Sequence, residues 1–261
     1  MASQLTADLE ALASRRRVLA LGGGVFSGLA LSACSKGRAM EPAPADCIAT
    51  PTEIRGPFPA DGTRSGGRAL NILGEQGLER SDIRSSIGGL DGTARGAGLA
   101  LTLGVVSAPG CAPLAGRAIY LWQCDARGDY SMYNREDVNY LRGLQPCAAD
   151  GLAHFTTIVP GCYGGRAPHV HLEVFESVTA AVSGASPLLV SQLALPADAC
   201  RAVYADRATY GESMDNLERW PPERDFMFAG DPPEIRTAQT IEMLGDPAAG
   251  FHGTATIGIP A

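Results

Sequence analysis

The triplet His169-Val170-His171 carries the first chemical signal in the chain. It falls in an apolar run, Pro168 to Phe175, that reads as a strand, and strand residues two positions apart share a face. Both imidazoles can therefore grip one metal ion, and Glu173 follows on the same face. The competing reading is an exposed polar strand face. A triad of His169, His171 and Glu173 for Fe(II) oxygenase chemistry would span about 13 Å along the strand, too far for one ion without a bend. Upstream, the run Thr157 to Val159 ends in Pro160-Gly161, a tight turn that places Tyr163 and Arg166 on a short loop beside the histidines. Arg166 also has a plainer reading, as a surface arginine in a Gly-rich turn. A second tyrosine, Tyr130, follows the strand-like run Ile119 to Cys124, which contains Trp122. His154 and His252 belong to no such pattern and read as structural or exposed.

Strands must hold these groups. Short apolar runs rich in β-branched or aromatic residues occupy 98–106, 117–124, 152–159, 168–175, 188–195 and 254–259. Turn formers separate them, and the 32 Gly and 18 Pro argue against long helices. The pattern predicts an all-β fold, an antiparallel β-sandwich with few short helices, at 197–204 and 212–220. With 261 residues, 45% of them hydrophobic, the chain can build a sizeable core, which excludes disorder. A net charge of -7 provides no basic footprint for nucleic acid, so none is expected as a partner. Lys36 is the sole lysine, which excludes Schiff-base chemistry and a Walker lysine further along.

The first stretch reads as an address. Ser14-Arg15-Arg16-Arg17 precedes an apolar, Gly-rich run from Val18 to Leu31 that is short for a membrane span and flanked like a secretory signal. The arginines look like a twin-arginine signal, and Leu31-Ser32-Ala33-Cys34 resembles a lipobox with Cys34 as the lipidated residue. The alternative is an amphipathic helix with a stray cysteine. The expected organisation is a signal over 1–33, a flexible tether over 34–46 and a folded domain over 47–261. Export would follow the twin-arginine route to the periplasm or cell envelope, with membrane attachment only through a lipid on Cys34. Six further cysteines, Cys47, Cys111, Cys124, Cys147, Cys162 and Cys200, suit an oxidising compartment and disulfide bonding. Their connectivity stays open, except that Cys147 and Cys162 bracket a strand about 23 Å long, which disfavours that pair. No CxxC pair supports a zinc site.

The block Pro160 to His171 does not stand alone. Together with Cys47 to Phe58, Arg80-Ser81-Asp82-Ile83, Cys111 to Gly116, Tyr140 to Gln145 and Asp150-Gly151, it resembles the intradiol ring-cleavage dioxygenases. These are the relatives of protocatechuate 3,4-dioxygenase and catechol 1,2-dioxygenase, and the likeness is greatest to the secreted, single-domain type. It covers most of the chain from Cys47. The resemblance implies Fe(III) held by Tyr130, Tyr163, His169 and His171. Tyr133 is the rival first tyrosine, and the family spacing favours Tyr130. It further implies that Arg166 stabilises charge developing on the substrate ring and that Gln192 assists. Tyr163 would leave the iron carrying a substrate proton, and Trp122 would wall the substrate pocket. Gln192 and Trp122 also read plainly, as a polar strand residue and a core tryptophan. The implied reactants are a catechol-type ring and O2, and the implied product is of muconate type.

The implied donor set is chemically coherent. Phenolates are hard anionic donors that suit Fe(III), and a trivalent ion can deprotonate a side chain whose free pKa is about 10. Two departures from the cytoplasmic enzymes, a shorter loop from Tyr163 to His169 and no helical segment ahead of the domain, imply a more open pocket. Cys162 stands where secreted relatives often carry an aromatic residue. The reading of a different class is a catalytically inactive β-sandwich lipoprotein that binds a ligand without iron. The oligomeric state is left open.

Overall fold

The computed structural model describes residues 47–260. The signal expected over 1–33 with Arg15 and Arg16, the tether expected over 34–46 and the lipidation expected at Cys34 fall outside the described residues. Among the described residues no helix is long and apolar enough to cross a membrane.

A small hairpin comes first, β1 (Asp61–Ser65) with β2 (Arg68–Asn71). Its two-residue turn, Gly66-Gly67, takes positive φ at both positions, the geometry that matches the twist of the flanking strands and that glycine adopts without strain. The body is a sandwich of two four-stranded sheets. One sheet runs β6 (Leu152–Ile158), β3 (Gly98–Ala108), β10 (Gly250–Pro260), β9 (Glu242–Asp246). The other runs β5 (Arg142–Pro146), β4 (Ala118–Trp122), β7 (His169–Phe175), β8 (Leu189–Ala194). The six apolar runs read from the sequence are β3, β4, β6, β7, β8 and β10.

Short helices cover the rim: α1 (Val178–Val182), α2 (Ala197–Tyr204), α3 (Arg207–Tyr210), α4 (Ser213–Arg219) and α5 (Pro233–Ala238). The expected helices at 197–204 and 212–220 correspond to α2 and α4. In α2, Cys200, Val203 and Tyr204 are buried, three positions on one stripe at helical spacing.

The sandwich departs from the expected antiparallel plan at one seam. β3 and β10 pair in parallel through ten successive residue pairs, Phe251 opposite Leu99 through to Pro260 opposite Ala108. Period-two alternation is the same for either direction, so the apolar pattern could not distinguish them. The cysteines also do less than their even number suggested. Cys47 and Cys111 form a disulfide, while Cys124, Cys147, Cys162 and Cys200 are buried free thiols.

The inner faces of both sheets meet in one core: Leu99, Leu101, Leu103 and Val105 from β3 against Ile119, Leu121, Val170, Leu172 and Leu193. Each such side chain contributes roughly 1.5–3 kcal/mol by leaving water. The opposite face of the second sheet is buried as well. There Tyr120, Trp122 and Leu144 pack with Ala60, Ile72, Leu73 and Tyr130, so β7 is buried on both faces. The chain from Thr50 to Ala60 runs from the sandwich edge, where the Thr50 amide donates to the Gly258 carbonyl at 2.9 Å and the Glu53 amide to the Val190 carbonyl at 2.8 Å, onto that outer face. Ser191 Oγ donates to the Pro51 carbonyl at 2.8 Å, Tyr120 OH to the Pro59 carbonyl at 2.7 Å, and Arg142 Nη1 to the Phe58 carbonyl at 2.8 Å.

Candidate metal centre

β7 sets the two histidines. Alternation turns His169 and His171 to the covered outer face, and their Nε2 atoms lie 3.1 Å apart. The His169 Nδ1 faces the Ala167 carbonyl at 2.7 Å. A carbonyl only accepts, so Nδ1 carries the proton and Nε2 presents its lone pair. The β4–β7 register puts Trp122 directly opposite His171, and the two rings stack at 4.9 Å with planes 7° apart. Trp122 is fully buried and donates from Nε1 to the Pro57 carbonyl at 3.4 Å. The residue read as a pocket wall thus lies beneath the His171 ring. On another edge of the His171 ring sits Gly56, with φ +78°, where an added Cβ would come 2.4 Å from His171 Cε1. Only glycine fits there.

The two tyrosines arrive on loops. Tyr130 OH lies 2.9 Å from His171 Nε2, Tyr163 OH lies 3.1 Å from His169 Nε2, and the two hydroxyls are 3.4 Å apart. The Tyr130 loop is built by Asp125, whose Oδ1 accepts from the amides of Arg127 and Asp129, and by Asn134, whose Oδ1 accepts from the Tyr130 amide. The Tyr163 loop is tied to α4: the Cys162 amide donates to Ser213 Oγ at 3.0 Å and Asn216 Nδ2 to the Cys162 carbonyl at 2.8 Å. The loops touch each other where the Gly161 amide donates to the Asp125 carbonyl at 2.9 Å.

The rival Tyr133 is elsewhere. Its hydroxyl accepts from the Ala60 amide at 3.2 Å and its ring lies under the Arg142 guanidinium. Glu173 also leaves the cluster, because its carboxylate pairs with Arg55 at 2.5 Å, and Arg55 in turn reaches Asp61 at 2.8 Å. The His169, His171, Glu173 triad is therefore not formed. His154 and His252 are exposed.

Burial governs the protonation of this cluster. It pushes the His169 imidazole down to about 3, reinforced by Arg166, and drives His171 well below the ordinary range, reinforced by His169. It holds the Tyr130 phenol far above its ordinary value, with Tyr163 the next cause, and raises Tyr163 too. Two neutral imidazoles and two phenols thus converge on one point. Donors about 2.0–2.1 Å from a single ion stand roughly 2.8–3.4 Å apart for angles between a right angle and the tetrahedral one. The four separations match, and a trivalent cation among the phenols would favour their ionised form. The donor set fits a hard, highly charged metal ion.

Arg166 closes one side and is 5% exposed, not a surface residue of its turn. Nη1 lies 3.4 Å from His169 Nε2, Nη2 donates to Gln192 Oε1 at 2.8 Å, and Nε to Asp225 Oδ2 at 2.8 Å. Gln192 is buried and donates from Nε2 to the Ile54 carbonyl at 3.0 Å, so it faces the arginine and not solvent. Cys162 is buried beside them, its thiol 3.3 Å from the Arg166 carbonyl. The sequence reading missed Asp225, Gly56 and Arg55. Asp225 sits in a loop 59 positions from Arg166, where no local pattern marks it. Gly56 and Arg55 lie within the motif-bearing stretch Cys47 to Phe58, whose glycine was the available signal.

This architecture is the fold of the intradiol ring-cleavage dioxygenases. An intradiol ring-cleavage dioxygenase from Tetranychus urticae superposes with a TM-score of 0.59 at 22% identity, over 82% of this chain and 95% of that one. The dioxygenase domain of a carbohydrate-binding fusion protein from Streptomyces sp. SirexAA-E gives 0.51 at 23% identity, over 82% and 99%. Catechol 1,2-dioxygenase from Pseudomonas arvilla C-1 gives 0.50 at 18% identity, over 81% and 62%. No protein-family model matches the sequence, and no curated protein does.

Proposed function

We propose that the protein is a non-haem Fe(III) intradiol dioxygenase, cleaving a catechol-type ring with O2 between its two hydroxyl-bearing carbons to a muconate-type product. The observation that carries this reading is the convergence of Tyr130, Tyr163, His169 and His171 beside a buried arginine, on the fold these enzymes use. His169 and His171 would hold the iron through Nε2, and Tyr130 and Tyr163 through their phenolate oxygens. Bound there, ferric iron supplies the Lewis acidity that binds a catecholate and primes its ring toward O2.

The chain's own groups divide the remaining work. Tyr130 is 2% exposed and fixed by its loop, whereas Tyr163 is half-buried beside Gly164-Gly165. Tyr163 is accordingly the phenolate that can release and take up a substrate proton at its oxygen. Arg166 holds a fixed positive charge at the cluster, where it opposes negative charge building on the ring. Gln192 braces the guanidinium. Trp122 and Gly56 keep the His171 ring in plane.

The proposal extends to the address: export by the twin-arginine route through Arg15 and Arg16, to the periplasm or cell envelope, with a lipid on Cys34 as the membrane anchor. One preparation tests the whole reading. The full chain, expressed in a bacterium and fractionated, is expected in the envelope fraction. Purified, it should carry one iron per chain, show the red-brown absorption of tyrosinate bound to Fe(III), and consume O2 with catechol. A colourless protein that takes up zinc but no iron would overturn the enzyme reading and leave a ligand-binding β-sandwich. Recovery in the cytosol alone would overturn the export reading.

A further inference from the structure

A guanidinium presents five N–H donors along two edges, and a buried one is aimed by whatever occupies them. Asp225 and Gln192 take the side edge of Arg166, at Nε and Nη2. That leaves Nη1 pointing at His169 Nε2, 3.4 Å away. Phe226 and Phe228 flank the guanidinium, with ring centroids 4.9 and 5.8 Å from Cζ.

Asp225 is fully buried and its carboxylate has further duties. Oδ2, besides binding Arg166, accepts from the Ala167 amide at 2.6 Å, and Oδ1 accepts from the Met227 amide at 2.8 Å. The carbonyl of that same Ala167 accepts from His169 Nδ1. One carboxylate therefore grips both the arginine and the residue whose carbonyl sets the His169 tautomer. Stability does not account for such an arrangement, because a buried ion pair is often no better than well-packed apolar side chains of the same volume. Aim accounts for it: a buried charge paired at one edge cannot swing.

We infer that Asp225 is a positioning residue of this site, locking Arg166 with Nη1 directed at the four donors and steadying His169 through Ala167. The inference rests on the proposed role of Arg166. A carboxylate is required on these grounds. Asparagine, with its amide oxygen in place of Oδ2, could still accept from Arg166 and Ala167, but its NH2 would face the Met227 amide where an acceptor is needed, and the guanidinium charge would be left uncompensated.

The test is a double-mutant cycle in the iron-loaded enzyme with Asp225→Asn, Arg166→Ala and the pair together. Asp225→Asn should keep its iron and its tyrosinate absorption, while kcat falls roughly 10–100-fold and KM moves less. In the double variant most of the added loss should vanish, leaving close to the rate of Arg166→Ala with only the part carried through Ala167 remaining. Asp225→Glu, which keeps the charge, should keep iron and recover part of kcat, and it serves as the probe if the asparagine variant does not fold. Wild-type kcat in Asp225→Asn, or the same fractional loss in the Arg166→Ala background, would overturn the inference. Wild-type turnover in Arg166→Ala itself would instead overturn the role given to the arginine, and iron-free Arg166→Ala would show that it acts on metal retention.

Discussion

The imidazoles and the phenols reach the same point from different kinds of structure. His169 and His171 stand on β7, which is hydrogen-bonded to β4 on one side and β8 on the other. Their spacing is a consequence of strand register, held by five residue pairs with β4 and six with β8. Tyr130 and Tyr163 stand on loops whose placement depends on a few side chains: Asp125, Asn134, Ser213 and Asn216. The loops also meet through the hydrogen bond from the Gly161 amide to the Asp125 carbonyl. The half of the donor set on the sheet is rigid by construction. The half on loops is rigid only by local agreement, and one of its members, Tyr163, is the phenolate assigned to move.

The largest break in that symmetry is expected from the sheet side. His171→Ala deletes a donor without touching the strand's pairing, so the fold should survive while iron affinity falls by more than the 10–100-fold that loss of a supporting group costs. Iron analysis after dialysis against a chelator, with a thermal melt, measures both. Next comes Gly161→Ala. Its Cβ would lie 2.5 Å from the Ala126 carbonyl oxygen, prising the two tyrosine loops apart at a destabilisation of about 1–3 kcal/mol. The tyrosinate absorption should weaken or shift because both phenols move, although no donor has been removed. An unchanged spectrum would mean that the loops adapt and are softer than their contacts suggest. The smallest effect belongs to Tyr133→Phe, which loses one hydrogen bond to the Ala60 amide, worth about 1 kcal/mol. Iron and colour should be retained, whereas the rival assignment of Tyr133 as a ligand demands that both be lost.

The same division explains what could be read before the fold was known. The pair on β7 was legible because alternation is a property of two neighbouring residues, and Tyr163 with Arg166 lay a few positions upstream. The strands β3, β4, β6, β7, β8 and β10 announced themselves as apolar runs. β5, Arg142-Gly143-Leu144-Gln145-Pro146, and β9, Glu242-Met243-Leu244-Gly245-Asp246, did not. They are polar pieces that pair because their neighbours offer open edges, and that information is held by the neighbours. Asp225 was invisible for a related reason: a carboxylate in a loop becomes informative only when the chain brings it to a buried arginine. The cysteines were legible as a disulfide-forming set, and the pair that meets, Cys47 with Cys111, was not, since an even count says nothing about which thiols come together.

The parallel seam between β3 and β10 sets the order of assembly. Thr102 pairs with Thr254, and the ribosome makes every donor residue between those two partners. The second sheet has all four of its strands once Ala194 has emerged, yet the sheet it packs against still lacks β9 and β10, and one edge of β3 stands open. Pairings between residues so distant along the chain close slowly, and an open edge strand is a template for association with other chains. A nascent chain thus carries its complete set of donors before it has a closed interior, and the sandwich seals from its C-terminal side.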